Sequence, residues 1–127
     1  MAVEGAALVT GGARRLGRAM VLALAGRGHD VAIHYDRSAA EAEATAAEAR
    51  ALGVRAAVFQ ADLLDEAATA ALIPAVADRL GPVGVLVNNA SIFEFDTLET
   101  ATRESWDRHL GSNLRAPFLL THRWVSR

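Results

Sequence analysis

The sequence predicts an α/β fold built on a doubly wound parallel sheet, because short apolar runs alternate four times with longer stretches of helical length. Continuous apolar runs are typical of strands buried on both faces of a parallel sheet. Four such runs lie at residues 6–10, 31–35, 56–60 and 83–88. Helices are predicted after them at about residues 16–27, 39–52, 66–80 and 103–125. This alternation implies right-handed crossovers between parallel strands.

Particular residues mark where the helices begin and end. Gly28, Gly53 and Gly81 stand just past three of the predicted helices, where a left-handed residue commonly ends a helix. Ser38, followed three residues later by Glu41, has the spacing of a capping box. These signals place the second helix directly after the second strand.

Composition restricts the classes of function. With 127 residues, of which 52% are hydrophobic and 22% charged, the chain is expected to form one globular domain. A net charge of −2 gives no basis for binding nucleic acid or an acidic membrane. There is no cysteine for a disulfide, a nucleophile or a zinc site, and no metal site is predicted. Residues 1–8 lack a signal-peptide pattern and no apolar run could cross a bilayer, so a cytoplasmic protein is expected.

A glycine-rich turn joins the first strand to the first helix, and its sequence is Thr10-Gly11-Gly12-Ala13-Arg14-Arg15-Leu16-Gly17. Glycine lets the backbone approach a pyrophosphate, and the helix N-terminus offers free N–H groups and a partial positive charge. An ordinary tight turn is the alternative. The position at the first strand–helix junction favours a dinucleotide site of the Rossmann type.

The residues at the end of the second strand indicate whether the chain prefers NAD or NADP. About twenty residues beyond the glycine turn, where cofactor selectivity is set, the chain reads Tyr35-Asp36-Arg37-Ser38. Arg37 can form charge-assisted bonds with a 2′-phosphate, and Ser38 can add a hydroxyl. Alternatively, Arg37 is a solvated surface residue, Ser38 is a helix cap, and Asp36 binds the ribose of NAD. The pattern favours NADP(H).

Together these residues resemble the short-chain dehydrogenase/reductase family over residues 5–121. The resemblance rests on the glycine turn, on the Asn-Asn-Ala-Ser run at 88–91, and on Asn113. The family usually has glycine where this chain has Arg15. That difference, together with the sequence of residues 34–38, is similar to the pteridine reductase branch of the family.

The resemblance implies a cofactor role for each matching residue. The implied contacts are Gly11, Arg14, Leu16 and Gly17 with the pyrophosphate and nicotinamide ribose, Tyr35, Arg37 and Ser38 around the 2′-phosphate, Asp62 and Leu63 with the adenine, and Asn89 and Ala90 with the adenine ribose. Tyr35 stands where NAD-specific relatives carry an acid. The implied cofactor is therefore NADP(H).

Substrate and catalytic roles follow from the same resemblance. Arg15, Ser91 and Phe93 match pteridine-reductase residues that contact the pterin and the cofactor phosphates, and the ring of Phe93 would stack on the pterin. Asn113 matches an asparagine that supports a water-linked proton relay to a lysine and a tyrosine. The implied substrate is a small-molecule carbonyl or pterin.

These residues also have purely structural interpretations. Asp62 could begin the following helix, Phe93 could be a core or partner-facing aromatic, and the asparagines at 88–89 could end the strand in a turn. The amide of Asn113 could tie the last helix to a neighbouring strand. Asn113 is expected to share an apolar side of that helix with Trp106, Leu110, Leu114 and Pro117.

The chain lacks residues that would complete catalysis in this family. Relatives use a serine and a Tyr-x-x-x-Lys segment on later elements, where the lysine lowers the pKa of a proton-donating tyrosine. All 13 lysine and arginine residues here are arginine, and Tyr35 is the single tyrosine. The chain is therefore expected to be inactive in isolation. Residues 1–127 would form one NAD(P)-binding domain, truncated after about four βα units and incomplete at its C-terminus.

The final stretch, residues 121–127, is expected to continue the last helix poorly, because Trp124 and Val125 are flanked by charge. A truncated reading frame or a fragment would explain it, and downstream coding sequence that restores Tyr-x-x-x-Lys would support this hypothesis. With the strand order 3-2-1-4, strand four would lie at an edge and residues 103–121 would expose an apolar face. A homo-oligomer, or dependence on a C-terminal part, is therefore expected.

Three functions stay open from the sequence. The first is NADPH-dependent reduction of a carbonyl or pterin by an intact enzyme, of which this chain is the cofactor half. The second is a non-catalytic NADP(H)-binding module. The third is a non-functional remnant.

Overall fold

A computed structural model describes residues 4–126 of the chain, in which strands and helices alternate as predicted. The strands are β1 (Ala6–Val9), β2 (Val31–Tyr35), β3 (Ala56–Gln60) and β4 (Val83–Val87). The helices are α1 (Arg15–Gly26), α2 (Ala39–Ala51), α3 (Glu66–Leu80), α4 (Arg103–Leu110) and α5 (Ala116–Val125). The strands are parallel in the order β3-β2-β1-β4, so the predicted fold and strand order are confirmed.

Helices cover both faces of the sheet, which explains the continuous apolar runs of its strands. On one face, α1 and α2 contribute Val21 and Ala46 to a buried cluster that includes Ile33 of β2. On the other face, α3 and α5 contribute Val76 and Leu120 to a second cluster. The strand β4 lies at one edge of the sheet, as expected.

The helix ends are only partly as predicted. Gly28, Gly53 and Gly81 have positive φ angles of 94°, 96° and 84°, which confirms their role in ending α1, α2 and α3. Ser38 does precede α2, but its side chain makes no capping hydrogen bond, so the capping box with Glu41 does not form. The Glu41 carboxylate instead faces a guanidinium of the glycine turn at 3.9 Å.

A capping box forms at the start of α4, where the sequence did not predict one. The Thr102 hydroxyl accepts from the Ser105 backbone N–H, and the Ser105 hydroxyl accepts from the Thr102 backbone N–H, both at 3.0 Å. Serine takes the place of the usual Glu or Gln at the third position, so the sequence lacks the ordinary capping-box pattern.

The predicted single helix over residues 103–125 is interrupted by a π-helical turn, Gly111–Arg115, between α4 and α5. The wider turn changes which side chains face inward. The side predicted to be apolar and buried is exposed: Trp106 and Leu114 are each 63% exposed. The residues of this segment that are buried are Ser105, Gly111, Ser112, Ala116 and Leu120.

The expectation that residues 121–127 continue the helix poorly is wrong for its described part, since α5 extends through Val125. Trp124 packs against the core, and its indole N–H donates to the Val83 carbonyl at 2.8 Å. Its apolar ring and its polar N–H are thus both used. Arg127, like residues 1–3 of the segment searched for a signal peptide, lies outside the described residues.

Within residues 4–126, no helix combines the length and the apolar character needed to cross a bilayer.

Candidate functional site

A cleft of about 570 Å³ opens at the carboxyl ends of the strands. Its volume lies within the range of small-molecule sites, and its position is where open α/β sheets bind ligands. All the residues predicted to contact the cofactor line it: Gly11, Arg14, Arg15, Leu16, Gly17, Tyr35, Arg37, Ser38, Asp62, Leu63, Asn89, Ala90 and Ser91. Sequence reasoning gave no role in the cleft to its other lining residues, Ala13, His34, Asp36, Leu64, Ile92 and Ser112, although Asp36 was considered as a ribose ligand.

Two glycines of the turn occupy positions that do not suit a residue with a side chain. Gly11 has a φ of +62°, and a Cβ at Gly17 would lie 2.0 Å from the Gly11 carbonyl oxygen. The Asn89 amide donates to the carbonyls of Thr10 and Gly11 at 3.1 and 3.2 Å, which joins the end of β4 to the turn. Asn89 therefore does more than end a strand, because it fixes the backbone that lines the cleft.

Two cations of the cleft stand without partners. Within residues 4–126, the guanidinium groups of Arg15 and Arg37 make no ion pair or hydrogen bond. Arg15 also has a φ of +55°, a left-handed conformation that non-glycine residues rarely adopt. A strained, unpaired cation at a helix start is a suitable group for binding an anionic ligand.

Arg15→Gly is expected to stabilise the fold while weakening ligand binding. Glycine adopts φ +55° without steric cost, and after the extra entropy of the unfolded glycine the gain is about 0.5–1 kcal/mol. Urea unfolding measures this gain, and titration with NADPH measures the loss of affinity. The matched variant Arg15→Ala keeps the strained conformation, so it should weaken binding without stabilising the chain. A destabilised Arg15→Gly variant would contradict the argument.

The groups expected to contact the 2′-phosphate of NADP(H) lie directly after β2. Ser38 makes no capping bond, so its hydroxyl is available beside the free Arg37 guanidinium. The Gln60 amide donates to the carboxylate and the backbone carbonyl of Asp36 at 3.3 and 3.2 Å. Asp36 lines the cleft, but its carboxylate is held by β3.

His34 is a lining residue that the sequence did not assign. Its Nδ1 accepts from the Gly11 N–H at 3.0 Å, and its Nε2 lies 2.8 Å from the Ala61 carbonyl. Burial lowers the pKa of this imidazole below its ordinary value, and the hydrogen bond to Ala61 and the Asp36 charge oppose that change. The sequence does contain a signal for this role: His34 lies within an apolar strand, and a buried imidazole needs hydrogen-bond partners for its ring nitrogens.

Asp62 does not begin the following helix, which corrects one alternative. Its carboxylate accepts from the Leu64 N–H at 2.9 Å, and the cap of α3 is Asp65, which accepts from Ala68 N–H at 3.0 Å. Asp62 therefore remains at the cleft, at the end of β3.

Two residues with predicted substrate or catalytic roles lie outside the cleft lining: Phe93 in the segment of residues 91–101 that follows β4, and Asn113 in the π-helical turn. Phe93 is 85% exposed, so it is not a core residue, and it does not line the cleft. Asn113 is exposed rather than buried on an apolar side. Its amide accepts from the Ile92 N–H and donates to the Ile92 carbonyl, both at 2.9 Å. The amide thus ties the π-helical turn to the segment after β4. This is close to the structural interpretation of Asn113, in which its amide ties the last helix to a neighbouring strand.

Further bonds fix this segment along α4. The Arg108 guanidinium donates to both oxygens of Glu94 and thereby lowers the pKa of that carboxyl. Hydrogen bonds from Thr100 and Ser105 lower the pKa of Asp96 in the same way. Both carboxylates therefore stay ionised at neutral and mildly acidic pH, and the segment stays attached to α4.

These features fit a phosphorylated dinucleotide. The glycine turn brings backbone and a helix N-terminus to the cleft, and two arginines there have no other partner within the described chain. Asp62 and Asn89 add polar groups along the same cleft. The family model described as short chain dehydrogenase matches residues 5–126.

The chain belongs to the short-chain dehydrogenase family. Among solved structures, it is similar to FolM alternative dihydrofolate reductase 1 from Brucella suis in complex with NADP, with a TM-score of 0.92 and 41% identity over 98% of this chain and 52% of that one. It is also similar to a short-chain dehydrogenase from Burkholderia cenocepacia in complex with NADP, with a TM-score of 0.93 and 40% identity over 97% and 50% of the two chains.

A curated relative in this family is the 3-oxoacyl-[acyl-carrier-protein] reductase FabG of Staphylococcus aureus. It is 37% identical over 118 residues, which are 93% of this chain and 48% of the relative. The chain thus spans about half the length of the short-chain dehydrogenases that it matches.

Proposed function

We propose that this chain is the NADP(H)-binding half of an oxidoreductase of the short-chain dehydrogenase type. The observation that carries the proposal is the free Arg37 guanidinium in the same cleft as the glycine turn. Beside Ser38, it offers bidentate donors for a 2′-phosphate. The competing carboxylate of Asp36 is bonded to Gln60, and the two solved relatives described above are complexes with NADP.

The cofactor roles implied by the family resemblance are part of this proposal. Each residue concerned lines the cleft. The glycine turn follows β1, and the ends of β2 and β3 lie beside it in that order, as an extended dinucleotide would need, while Asn89 and Ala90 follow β4 on the other side of the turn. NADPH bound there would supply the hydride for reduction. The residues of this chain would bind and orient it through phosphate contacts and the adenine.

A carbonyl or a pterin is the proposed substrate, and three features favour the pterin. Arg15 replaces the usual glycine, Ser91 lines the cleft, and the Brucella relative is named an alternative dihydrofolate reductase. Phe93 directly follows Ile92, which lines the cleft, and its exposed ring is proposed to contact the substrate from there. The Staphylococcus relative supports a 3-oxoacyl substrate as the second candidate.

Asn113 is proposed to hold the segment after β4 against the π-helical turn through its two bonds to Ile92. Its part in a proton relay stays a prediction, because the relay needs a tyrosine and a lysine partner. Tyr35 lies on β2 among the cofactor residues, and the sequence contains no lysine.

The chain by itself is therefore proposed to bind NADP(H) without transferring a hydride, as a single cofactor-binding domain in the cytoplasm. Its exposed Trp106, Leu114 and Phe118, together with the β4 edge, support association with further residues or with a second copy. A homo-oligomer is thus part of the proposal.

An absorbance assay tests the absence of hydride transfer. NADPH is mixed with the folded chain and either a dihydropterin or a 3-oxoacyl thioester, and the loss of NADPH absorbance is followed. We expect no oxidation above that of the heat-denatured chain, because no tyrosine–lysine pair is present to donate the proton. Sustained oxidation that requires the folded chain would contradict the proposal.

A further inference from the structure

The imidazole of His34 joins three segments that meet at the cleft. It is 2% exposed, and both ring nitrogens have backbone partners: Nδ1 accepts from the Gly11 N–H, and Nε2 faces the Ala61 carbonyl. A carbonyl can only accept, so Nε2 carries the proton and Nδ1 is the acceptor. The two bonds together require the neutral ring.

The backbone around His34 is bonded to the same segments. The Gly12 N–H donates to the His34 carbonyl, and the Ala61 N–H donates to the Tyr35 carbonyl, both at 3.0 Å. Ala61 immediately precedes Asp62, the residue proposed to bind the adenine. His34 and its neighbour thus connect the glycine turn, the end of β2 and the end of β3.

We propose that His34 is a positioning residue for dinucleotide binding, whose neutral imidazole holds the glycine turn against the end of β3. Protonation of the ring opens this connection and weakens binding. The inference rests on the proposed NADP(H) function. It adds that the affinity for the dinucleotide depends on the protonation of His34, a residue that contacts the protein backbone.

Protonation breaks the connection for a simple reason. A proton on Nδ1 would face the Gly11 N–H, so two donors would meet, and a charge would be buried. The charged side chains that share the cleft with His34 are Arg14, Arg15, Asp36, Arg37 and Asp62. Asp36 raises the pKa of the ring, but burial is the larger effect and lowers it.

The sign of the pH dependence follows from this lowered pKa. The unfolded chain, with a histidine pKa of about 6.5, takes up a proton before the folded chain does. Stability and the shape of the cleft are therefore complete above about pH 6.5, and stability falls as the pH drops from there towards the folded pKa.

The test compares wild type with His34→Asn by calorimetric titration with NADPH at about pH 8 and about pH 5.5, on either side of the ordinary histidine pKa. The amide oxygen of asparagine can accept near the position of Nδ1 and does not titrate. Circular dichroism confirms that both proteins are folded. The 2′-phosphate titrates near pH 6 in both experiments, so the difference between the proteins is the informative quantity.

At the higher pH we expect His34→Asn to bind NADPH more weakly than wild type, because asparagine lacks the Nε2–H that faces the Ala61 carbonyl. Between the two pH values we expect wild type to lose more affinity than His34→Asn, but by less than about tenfold, because burial lowers the pKa of the ring below its ordinary value. The Gly11 amide resonance of the ligand-free chain should move with pH in wild type and stay fixed in the variant. His34→Leu, which lacks an acceptor, should bind weakly at both pH values.

Two outcomes would overturn the inference in distinguishable ways. Equal pH dependence of wild type and His34→Asn, with NADPH binding intact, would remove the role of His34 alone. A folded wild-type chain that fails to bind NADPH at either pH would remove the proposed function, and the inference with it.

Discussion

Gly17→Ala is expected to abolish NADPH binding and to lower the free energy of unfolding by about 3 kcal/mol, as overpacking against rigid groups does. The added Cβ would lie 2.0 Å from the Gly11 carbonyl oxygen and 2.6 Å from the Asn89 amide nitrogen. The first of these is backbone, so the glycine turn itself would have to move. Urea unfolding and titration with NADPH measure the two effects.

Gly26→Ala is the matched control, because Gly26 lies in the same helix and nothing comes within 4 Å of a Cβ there. Alanine in an exposed helical position should raise the free energy of unfolding by about 0.5–1 kcal/mol. NADPH affinity should stay unchanged. If Gly17→Ala bound NADPH as tightly as Gly26→Ala, close packing of the glycine turn would have no part in the site.

Arg37→Ala is expected to weaken NADPH binding by about 30-fold and to leave NADH binding nearly unchanged. Hydrogen bonds to charged groups contribute about 1.5–3 kcal/mol, and the guanidinium has no partner within residues 4–126 to lose. The two cofactors differ only in the 2′-phosphate, so a selective loss locates that phosphate at Arg37. Calorimetric titration with each cofactor gives the ratio.

Two variants make this result specific. Arg123→Ala removes the same charge from α5, outside the cleft, and should change neither affinity. Asp36→Asn removes the carboxylate held by Gln60, and it should leave NADH binding unchanged while strengthening NADPH binding. An equal loss of both cofactors in Arg37→Ala, or a loss of NADH in Asp36→Asn, would contradict the assignment.

The sequence predicted the sheet well because helices bury its strands on both faces, which makes the apolar runs continuous. β2 and β3 begin and end as predicted, and Gly28, Gly53 and Gly81, which have positive φ, mark the ends of α1, α2 and α3. Much of the cleft lining was also predicted, since the carboxyl ends of parallel strands meet at one edge of a sheet.

Features that depend on contacts between distant segments could not be predicted. The π-helical turn Gly111–Arg115 interrupts the predicted single helix, and Asn113 and Trp106 are exposed rather than buried on a shared apolar side. Phe93 lies on a segment positioned by hydrogen bonds from α4, which no local pattern reveals. The role of His34 needed the Ala61 carbonyl, 27 residues away, to be seen beside it.

The most direct test of NADP(H) binding is titration of the wild-type chain with NADPH and with NADH, while circular dichroism reports its folding. Binding of NADPH at least tenfold tighter than NADH is the expected result, since a bidentate arginine–phosphate contact exceeds about 1.4 kcal/mol. A folded chain that prefers NADH, or that binds neither cofactor, would contradict the assignment of this cleft to NADP(H).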